Sequence, residues 1–349
     1  MADVARLAGV SVTTVSHVIN GTRPASERTR ERVLEAIERT GYRPNTLARA
    51  LARGGTQSLG LAISGLSNPY FSEVVSAIEG AASRAGHTLL LGDTREDPEQ
   101  ELRIVRALAE RQVDGMLLAP TAGALEHALP YLESQGIPTV LLDRFVDADF
   151  DQVGSDNEQP TARLVEHLID RGHRRIGMAI GIRGLSTTDE RVRGYKLALE
   201  RGGLGFDPAL LAEGASERDR ARAAMDALLD LDDPPTAMVS GNNFMTIGVL
   251  RAFADRGLRV PDDMALVAFD DFEWADLFAP RLTVIRQPTA ELGERAVALL
   301  LSRLEDPERP PRRERLEATF VHRDSCGCTG RSPAPQIRAQ PSEHDDVTA

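Results

Sequence analysis

The residues best suited to bind a small molecule stand directly after apolar runs in the larger part of the chain. The runs LLLG, VLL, MVSG and LVAF are followed in turn by Asp93, by Asp143 and Arg144, by Asn242 and Asn243, and by Asp270 and Asp271. Carboxylates, amides and a guanidinium can pair with vicinal hydroxyls, and nearby aromatic rings would add flat apolar faces: Tyr70, Phe71, Phe272 and Trp274. If several loops converge, this set predicts a pocket for a sugar or nucleoside. A single Asp or Asn in such a place can equally cap the next helix.

The sequence lacks the motifs of common enzyme classes. It has no G-x-x-x-x-G-K-S/T phosphate loop, no G-x-S-x-G elbow, no H-E-x-x-H pair and no glycine-rich dinucleotide fingerprint. Two aspartates in one pocket could perform acid–base chemistry, but no other feature points to turnover. We therefore predict that the protein is not an enzyme and needs no cofactor.

Metal binding is also not expected. The only cysteines, Cys326 and Cys328, form a C-G-C motif near a polar end, so a disulfide framework is unfavoured. A zinc site would need more ligands than these two. His167 and His173 bracket a helix end, where we expect surface or packing roles. The prediction is no metal.

The polar groups need elements to position them, and from Ser58 onward apolar strands alternate with amphipathic helices. We predict strands at 58–65, 88–92, 115–119, 138–142, 174–180, 236–240, 264–269 and 282–286. We predict helices at 69–85, 97–111, 124–135, 159–171, 188–201, 217–230, 243–256 and 289–305. This alternation is typical of parallel sheets covered on both faces, and roughly 270 residues of it suggest two doubly wound lobes.

The N-terminal segment has a different pattern. GVSVTTVSHVING, residues 9 to 21, is rich in β-branched residues, yet Val15, Val18 and Ile19 recur at helical spacing. Ser11 is a plausible cap for a helix over 12–20, which would lie between helices at 3–8 and 27–40. We expect Ser26 to cap the third helix and Gly41 to end it. Three short helices, the first two joined by a tight turn, predict a helix-turn-helix.

Charge separates this head from the body. The chain has a net charge of −12, but nine arginines against five acidic residues give residues 1–56 a charge of +4 and leave −16 on the remainder. A basic head on an acidic body is expected when one end faces phosphate. No leader peptide and no apolar stretch near about 18 residues is present, so we expect a cytoplasmic protein with no membrane partner.

Two further segments resist assignment to either part. RPNTLARALARGGT, residues 43–56, is either a plain linker or a helix that forms only when something packs on it, because it is too short for a stable isolated helix. Residues 326–349 contain no Leu and little apolar content. We predict that this tail is disordered.

Taken together, these motifs resemble the lactose-repressor and galactose-repressor family of bacterial transcription regulators over about residues 3–325. The head, DVARLAGVSVTTVSHVINGTRPASERTRERVLEAIERTGYRPNTLARAL, is similar to the family signature almost throughout. The body motifs are looser, namely NPYF at 68–71, DGMLLAP at 114–120, RVRGY at 191–195, VPDDMALVAFDD at 260–271 and LTVIRQP at 282–288. Family heads usually begin earlier, with a Thr that caps the first helix; here Asp3 or the terminus would do that work, and a misplaced start codon would explain the difference equally well.

The resemblance implies an N-terminal all-α helix-turn-helix head plus an α/β two-lobe, periplasmic-binding-protein-like (type I) effector domain of doubly wound parallel sheets. The expected boundaries are a head at 1–44, a hinge helix and linker at 45–56, an effector domain at 57–325 and the tail at 326–349. Within the effector domain, the first lobe would comprise about 57–157 and 289–316. The second would comprise about 158–285 and 317–325.

The resemblance also implies a DNA-binding set. Val12, Thr13 and His17 would face base edges, Val12 through apolar contact alone. The expected phosphate or register contacts are Ser11, Thr14, Ser16, Asn20 and Arg23. Asn45 to Ala52 resembles the family's hinge helix, in which Leu51 would wedge into the minor groove. The expected partner is double-stranded operator DNA, bound by a homodimer; a tail without Leu argues against a tetramer.

The effector contacts implied by the resemblance lie on both lobes: Tyr70, Phe71, Asp143, Thr187, Arg191, Asn242, Asp270 and Gln287. Arg191 could orient Asp143 or Asp270 while donating to a ligand, with Arg193 as the solvent-facing neighbour. We expect a sugar or sugar derivative, less readily a purine, and a regulator that most often represses. A sugar-binding receptor for transport and a sugar-processing enzyme are the alternatives, and the sequence leaves open whether the ligand releases or promotes DNA binding.

Overall fold

A computed structural model describes residues 1–20, 23–42 and 55–328. The chain divides into two compact units, Met1–Gln57 and Ser58–Ala349.

The first unit is helical, as predicted. Its helices are α1 (Ala2–Ala8), α2 (Val12–Asn20) and α3 (Glu27–Thr40). The β-branched segment is therefore a helix, because burial of Val15 (0% exposed) and its neighbours outweighs strand propensity. The core of this unit consists of Val4, Ala5, Ala8, Val15, Val33 and Ala36.

The expected caps of α2 and α3 are present. Ser11 Oγ accepts the Thr14 N–H at 3.1 Å, and Ser26 Oγ accepts the Thr29 N–H at 3.3 Å. Gly41 ends α3 in the left-handed conformation, with φ 61°. Helix α1 has no side-chain cap. Asp3 lies inside that helix and pairs with Arg6 at 2.6 Å, and Met1 occupies the N-cap position, so of the two expected alternatives Asp3 does not cap the helix.

The second unit contains two six-stranded sheets, one in each lobe. The first sheet has the order β11-β5-β4-β3-β1-β2 and is parallel throughout. Its strands are β1 (Ser58–Ile63), β2 (Thr88–Asp93), β3 (Gly115–Leu118), β4 (Thr139–Leu142), β5 (Asp151–Ser155) and β11 (Arg313–Leu316).

The second sheet has the order β12-β10-β9-β8-β6-β7. Its strands are β6 (Ile176–Ile180), β7 (Leu211–Glu213), β8 (Ala237–Ser240), β9 (Ala265–Phe269), β10 (Thr283–Arg286) and β12 (Thr319–Val321). β12 runs antiparallel to β10, and the other pairs are parallel. Between residues 58 and 328 the chain passes from one sheet to the other three times: after β5, after β10 and after β11.

Helices cover both faces of each sheet. They are α4 (Pro69–Arg84), α5 (Pro98–Glu110), α6 (Ala128–Ser134), α7 (Glu158–Asp170), α8 (Ser186–Arg201), α9 (Arg218–Leu229), α10 (Asn243–Asp255) and α11 (Thr289–Glu305). In the first lobe, α4 and α11 bury one apolar cluster against the sheet and α5 and α6 another. In the second lobe, α7 and α8 cover one face and α9 and α10 the other. Both doubly wound lobes are therefore confirmed.

All eight predicted strands are present, but four strands were missed: β5, β7, β11 and β12. β5 reads DQVGS and has no apolar alternation, although all five residues are buried. Two of its polar side chains find partners outside the strand: Asp151 binds Arg303 and Arg309, which are distant in sequence, and Gln152 binds the backbone of nearby Val146 and Ala148. A polar strand of this kind gives no periodic signal.

The predicted disordered tail begins too early. Cys326 is 1% exposed and Cys328 is half-buried, and both make side-chain contacts with histidines. Residues 326–328 thus belong to the folded second lobe, and the rest of the predicted tail lies outside the described residues. Among the residues that the structure describes, no helix is both long and apolar enough to cross a membrane.

Candidate functional site

Helix α2 presents a polar surface opposite its buried side. Val12 is 47% exposed although apolar, and Thr13 beside it is also exposed. His17 is half-buried on the same helix, as are Thr14 and Ser16. An exposed valine next to an exposed threonine on a short helix is a surface able to meet base edges in a major groove.

The other predicted DNA-contact residues divide into three groups. Ser11 is exposed, and its hydroxyl caps α2 and also contacts the Thr14 hydroxyl at 2.9 Å, so both residues have a structural role at the helix start. Arg23 is exposed after α2. The described part of Asn20 is its helical backbone, and Asn45 and Leu51, with the predicted hinge helix, lie outside the described residues.

In the second unit, a cleft of about 490 Å³ lies at the carboxyl ends of the strands of both lobes. All eight predicted effector contacts line it: Tyr70, Phe71, Asp143, Thr187, Arg191, Asn242, Asp270 and Gln287. Residues from several loops therefore converge on one pocket, as the sequence-based prediction of a small-molecule site required. Their contact with a ligand stays a prediction.

The wall formed by the first lobe centres on a buried carboxylate. Asp143 follows β4 in a left-handed conformation (φ 68°), and its Oδ1 accepts the Tyr70 hydroxyl at 2.6 Å. Tyr70 is held at the start of α4 because the Asn68 side chain accepts its N–H at 3.0 Å. Burial raises the pKa of Asp143 above its usual range, although Arg144 opposes the rise. Burial likewise raises the pKa of Tyr70 well above normal, so the phenol stays a donor.

Arg144 and Glu96 form an ion pair next to Asp143 that sequence analysis missed. Arg144 Nη1 donates to Glu96 Oε2 at 2.9 Å and to the Pro120 carbonyl at 2.9 Å. Burial tends to raise the pKa of Glu96, but the charge of Arg144 and the hydrogen bonds from Arg144 and Ser64 together lower that pKa below normal. The signal for Glu96 was the polar run DTREDP, which begins at the last residue of β2 and lies at the same sheet edge as Asp143.

The wall formed by the second lobe contains a second buried carboxylate, Asp270, after β9 (φ 73°). Asp270 Oδ1 accepts the Gln287 amide at 2.6 Å. Burial raises the pKa of Asp270, and the negative charge of Asp143 adds to the rise against the charge of Arg191. Each lobe therefore contributes one buried carboxylate at the end of a central strand.

Arg191 lies between these groups. Its Nε donates to Asn157 Oδ1 at 2.9 Å, its Nη1 donates to the Gly241 carbonyl, and its guanidinium stacks on Phe269 at 3.8 Å. Arg191 contacts neither carboxylate directly. The expectation that this side chain orients Asp143 or Asp270 is therefore wrong, and Arg191 acts on both carboxyls through its charge. Arg193 pairs with Glu158 on the exposed side of α8, as expected.

The remaining strand-end and aromatic residues that the sequence singled out have different roles in the structure. Asn242 Oδ1 caps α10 by accepting the Met245 N–H at 2.8 Å, yet the residue also lines the cleft. Asp271 instead binds Arg323 and Arg286, and Phe272 and Trp274 pack on each other 4.5 Å apart. Phe244, which was not predicted, lines the cleft.

One group of described residues has the composition of a metal site, and it lies elsewhere in the second lobe. It comprises His167, His322, Cys326 and Cys328.

The geometry defines a class of protein: a helix-turn-helix head joined to a two-lobe ligand-binding domain. Residues 1–45 match the family described as bacterial regulatory proteins, lacI family, and residues 165–326 match the periplasmic binding protein-like domain. The chain is 36% identical over 303 residues to the HTH-type transcriptional repressor PurR of Haemophilus influenzae, covering 86% of this chain and 90% of that protein. It is 36% identical over 327 residues to the PurR repressor of Aliivibrio fischeri, covering 93% and 97%.

Solved structures of bacterial transcription regulators are similar to this chain in fold. A lac repressor dimer bound to operator and the anti-inducer ONPF has a TM-score of 0.83 and 29% identity, and a complex of the regulator CelR with cellobiose has a TM-score of 0.71 and 32% identity. Each comparison covers 93% of this chain and 98% of the other. The chain belongs to the lacI family of bacterial transcription regulators, and its head is the DNA-binding part.

Proposed function

We propose that the protein is a repressor that binds a near-palindromic operator as a homodimer and responds to a small effector in the cleft. The exposed surface of α2 supports the DNA-binding role, with Val12, Thr13 and His17 facing bases and the polar neighbours facing phosphates. Two copies are needed to read two half-sites. The relatives named as repressors, and the operator-bound dimer of the lac repressor, support the same assignment.

The effector we propose is a sugar or sugar derivative. The observation that carries this is the pair of buried carboxylates, Asp143 and Asp270, on the two walls of one cleft with Arg191 nearby. Hydroxyl groups of a sugar can donate to both carboxylates and accept from the guanidinium. A cleft of about 490 Å³ falls within the usual range for small-molecule sites.

A purine is the alternative effector, because Tyr70, Phe71 and Phe244 could stack on a flat base. Calorimetry of the full chain with neutral mono- and disaccharides, cellobiose and ribose among them, and with purine bases separates the two. We expect saturable binding of one sugar and a matching rise in Tm. Binding of a purine base without binding of any sugar would contradict the sugar assignment.

The DNA-binding role is tested by in vitro selection of genomic fragments at one stated salt concentration, since affinity depends steeply on salt. Recovery of a near-palindromic sequence is the expected result, and neighbouring genes would indicate the effector. Failure to enrich any sequence would favour the receptor alternative.

A substitution in the predicted hinge helix also distinguishes a DNA-binding regulator from a transport receptor or an enzyme. Leu51→Ala should weaken operator binding while leaving effector affinity unchanged, because removing a minor-groove wedge affects only the bent DNA complex. A transport receptor or an enzyme would show no change. An effector acts on such a regulator only through its different affinity for two states, so operator titrations with and without effector also establish whether it releases or promotes binding.

A further inference from the structure

Four metal-ligating side chains meet at one edge of the second lobe. His167 lies in the last turn of α7, His322 follows β12, and Cys326 and Cys328 follow in the next turn. Each offers one ligand atom, and the four atoms lie within 4.8 Å of one another. Cys326 Sγ is 3.3 Å from His322 Nε2, and Cys328 Sγ is 3.4 Å from His167 Nε2.

These separations are close to those of a tetrahedral zinc site. With Zn–S bonds of about 2.3 Å and Zn–N bonds of about 2.0–2.1 Å, a sulfur and a nitrogen ligand lie about 3.5 Å apart and two sulfurs about 3.8 Å apart. The two sulfur–nitrogen contacts already have this spacing. Small side-chain rotations would bring the widest pair into range.

The backbone that carries the ligands is fastened to the sheet. Ser325 Oγ donates to the Leu266 carbonyl at 2.6 Å and accepts the Thr283 N–H at 2.8 Å. Arg323 N–H donates to Thr283 Oγ1 at 3.0 Å, and Arg171 donates to the Gly327 carbonyl at 3.1 Å. The cluster is therefore held by bonds that do not use the ligand atoms, which is how a preorganised site is built.

The cluster is separate from the cleft. β12 is antiparallel to β10, so its end lies at the amino-terminal edge of the parallel strands, whereas the cleft lies at their carboxyl ends. None of the four ligand residues lines the cleft. Cys326 is buried, His167 and Cys328 are half-buried, and His322 is exposed, which leaves one side open for a metal ion to enter.

We propose that His167, His322, Cys326 and Cys328 bind one zinc ion as a structural site that joins the C-terminal segment of the second lobe to helix α7. A set of two thiolates and two imidazoles suits Zn²⁺, and four protein ligands leave no open position for catalysis. This replaces our sequence-based prediction of no metal, which counted two ligands because the histidines are distant or unremarkable in the sequence. A site of this kind contributes to folding, since the ligands are brought together only in the folded chain.

The test is metal analysis of the full chain, purified under reducing conditions, loaded with zinc and then passed through metal-free buffer. We expect about one zinc ion per chain and a Tm that falls when EDTA is added. The Cys326→Ser, Cys328→Ser double variant should lose the zinc and the EDTA effect. His127→Ala, which removes an exposed histidine of the first lobe, should retain both.

A second measurement covers the event that the cysteine variant fails to fold. Co²⁺ added to the metal-free chain should give the absorption bands of a tetrahedral site with thiolate-to-metal charge transfer. His322→Ala, which changes an exposed residue, should weaken Co²⁺ and Zn²⁺ binding at least about tenfold. A wild-type chain that holds no zinc and gives no thiolate bands, or one in which Cys326 and Cys328 are disulfide-linked after reducing purification, would overturn the proposal.

Discussion

At the scale of single residues, the cleft contains two buried carboxyl groups that are unfavourable for folding and that we propose to bind the effector. Asp143 and Asp270 are buried, and burial raises the pKa of each carboxyl. When the pKa of an acid is raised in the folded state, the protein becomes less stable as pH rises above the unfolded pKa, because the folded state opposes ionisation of that acid. The two carboxylates are retained at a cost to the fold, which is typical of functional sites.

We predict that Asp270→Asn stabilises the protein without effector and weakens effector binding about 10- to 100-fold. The fold gains because a buried charge is removed, and Asn tolerates the left-handed conformation at this position. Binding loses a hydrogen bond to a charged group, worth about 1.5–3 kcal/mol. Thermal unfolding and calorimetry measure the two effects. If the variant bound the effector as tightly as the wild type does, Asp270 would not be an effector contact.

A further buried carboxyl, that of Glu101, predicts a dependence of stability on pH. Glu101 accepts the Thr121 N–H at 2.6 Å, and burial raises its pKa from 4.5 to about 7. Because the unfolded carboxyl ionises near 4.5, its contribution to stability decreases as pH rises from 4.5 to 7 and is lowest above 7. Glu101→Gln should therefore raise Tm by a few degrees at pH 8 and have little effect at pH 5. An equal change at both pH values would contradict this assignment.

At the scale of elements, helix pairs in the lobes approach closely at glycines. Gly293 of α11 faces α4, where an added Cβ would lie 2.6 Å from Ala77 Cβ and 2.9 Å from the Ile78 backbone nitrogen. Backbone cannot move aside cheaply, so a methyl group here separates the helices. Gly80, on α4 itself, would meet only the end of the Arg84 side chain at 3.4 Å.

We predict that Gly293→Ala lowers the free energy of unfolding by about 1–2 kcal/mol despite the higher helix propensity of Ala. Gly80→Ala is the matched control and should raise the free energy by up to about 1 kcal/mol. Urea unfolding measures both. If the two variants gave the same sign, close packing at Gly293 would not be the reason for glycine there.

Helix α2 gives the prediction for DNA binding. Thr13→Ala should reduce affinity for the selected operator by about 1–3 kcal/mol, since a base contact is lost, and leave binding to unrelated DNA unchanged. Titrations of both fragments at one salt concentration measure this. An equal loss on both would assign Thr13 to phosphate contact instead.

At the scale of the whole molecule, a buried ion cluster joins the returning chain to the first sheet. Asp151 of β5 binds Arg309 through both oxygens, at 2.8 and 2.9 Å, and Arg303 of α11 at 2.9 Å. Burial alone would raise the pKa of Asp151, but the hydrogen bonds from Arg309 and Arg303 lower it below 3.8. The resulting stability is present above pH 3.8 and is lost as pH falls through the lower folded pKa.

We predict that Asp151→Asn lowers the free energy of unfolding at pH 7 by about 3 kcal/mol, because two arginines then lose their buried counter-charge. Asp147→Asn is the control, since that side chain is fully exposed and its nearest arginine nitrogen is 3.8 Å away; it should change the free energy by less than about 0.5 kcal/mol. Denaturant unfolding distinguishes the two, and equal effects would rule out a stabilising role for the cluster.

The sequence, together with the family resemblance, determined the helix-turn-helix head, eight strands, the helices between them and eight of the residues that line the cleft. The helices, the strands and the strand-end residues depend on local signals, namely periodicity, caps and polar residues after strands, which neighbouring residues carry. Thr187, Arg191 and Gln287 were implied by the family resemblance alone. The resemblance of the head to a known family also depended on a motif that is contiguous in the sequence.

The tertiary structure alone decided which distant polar groups satisfy one another. β5 is a strand because Arg303 and Arg309, about 150 residues away along the chain, neutralise Asp151; its own sequence contains no strand pattern. Glu96 joins the cleft through Arg144, and His167 meets Cys328 across 161 residues. Such partners share no periodicity, because burial and charge pairing act through space and leave no spacing along the chain.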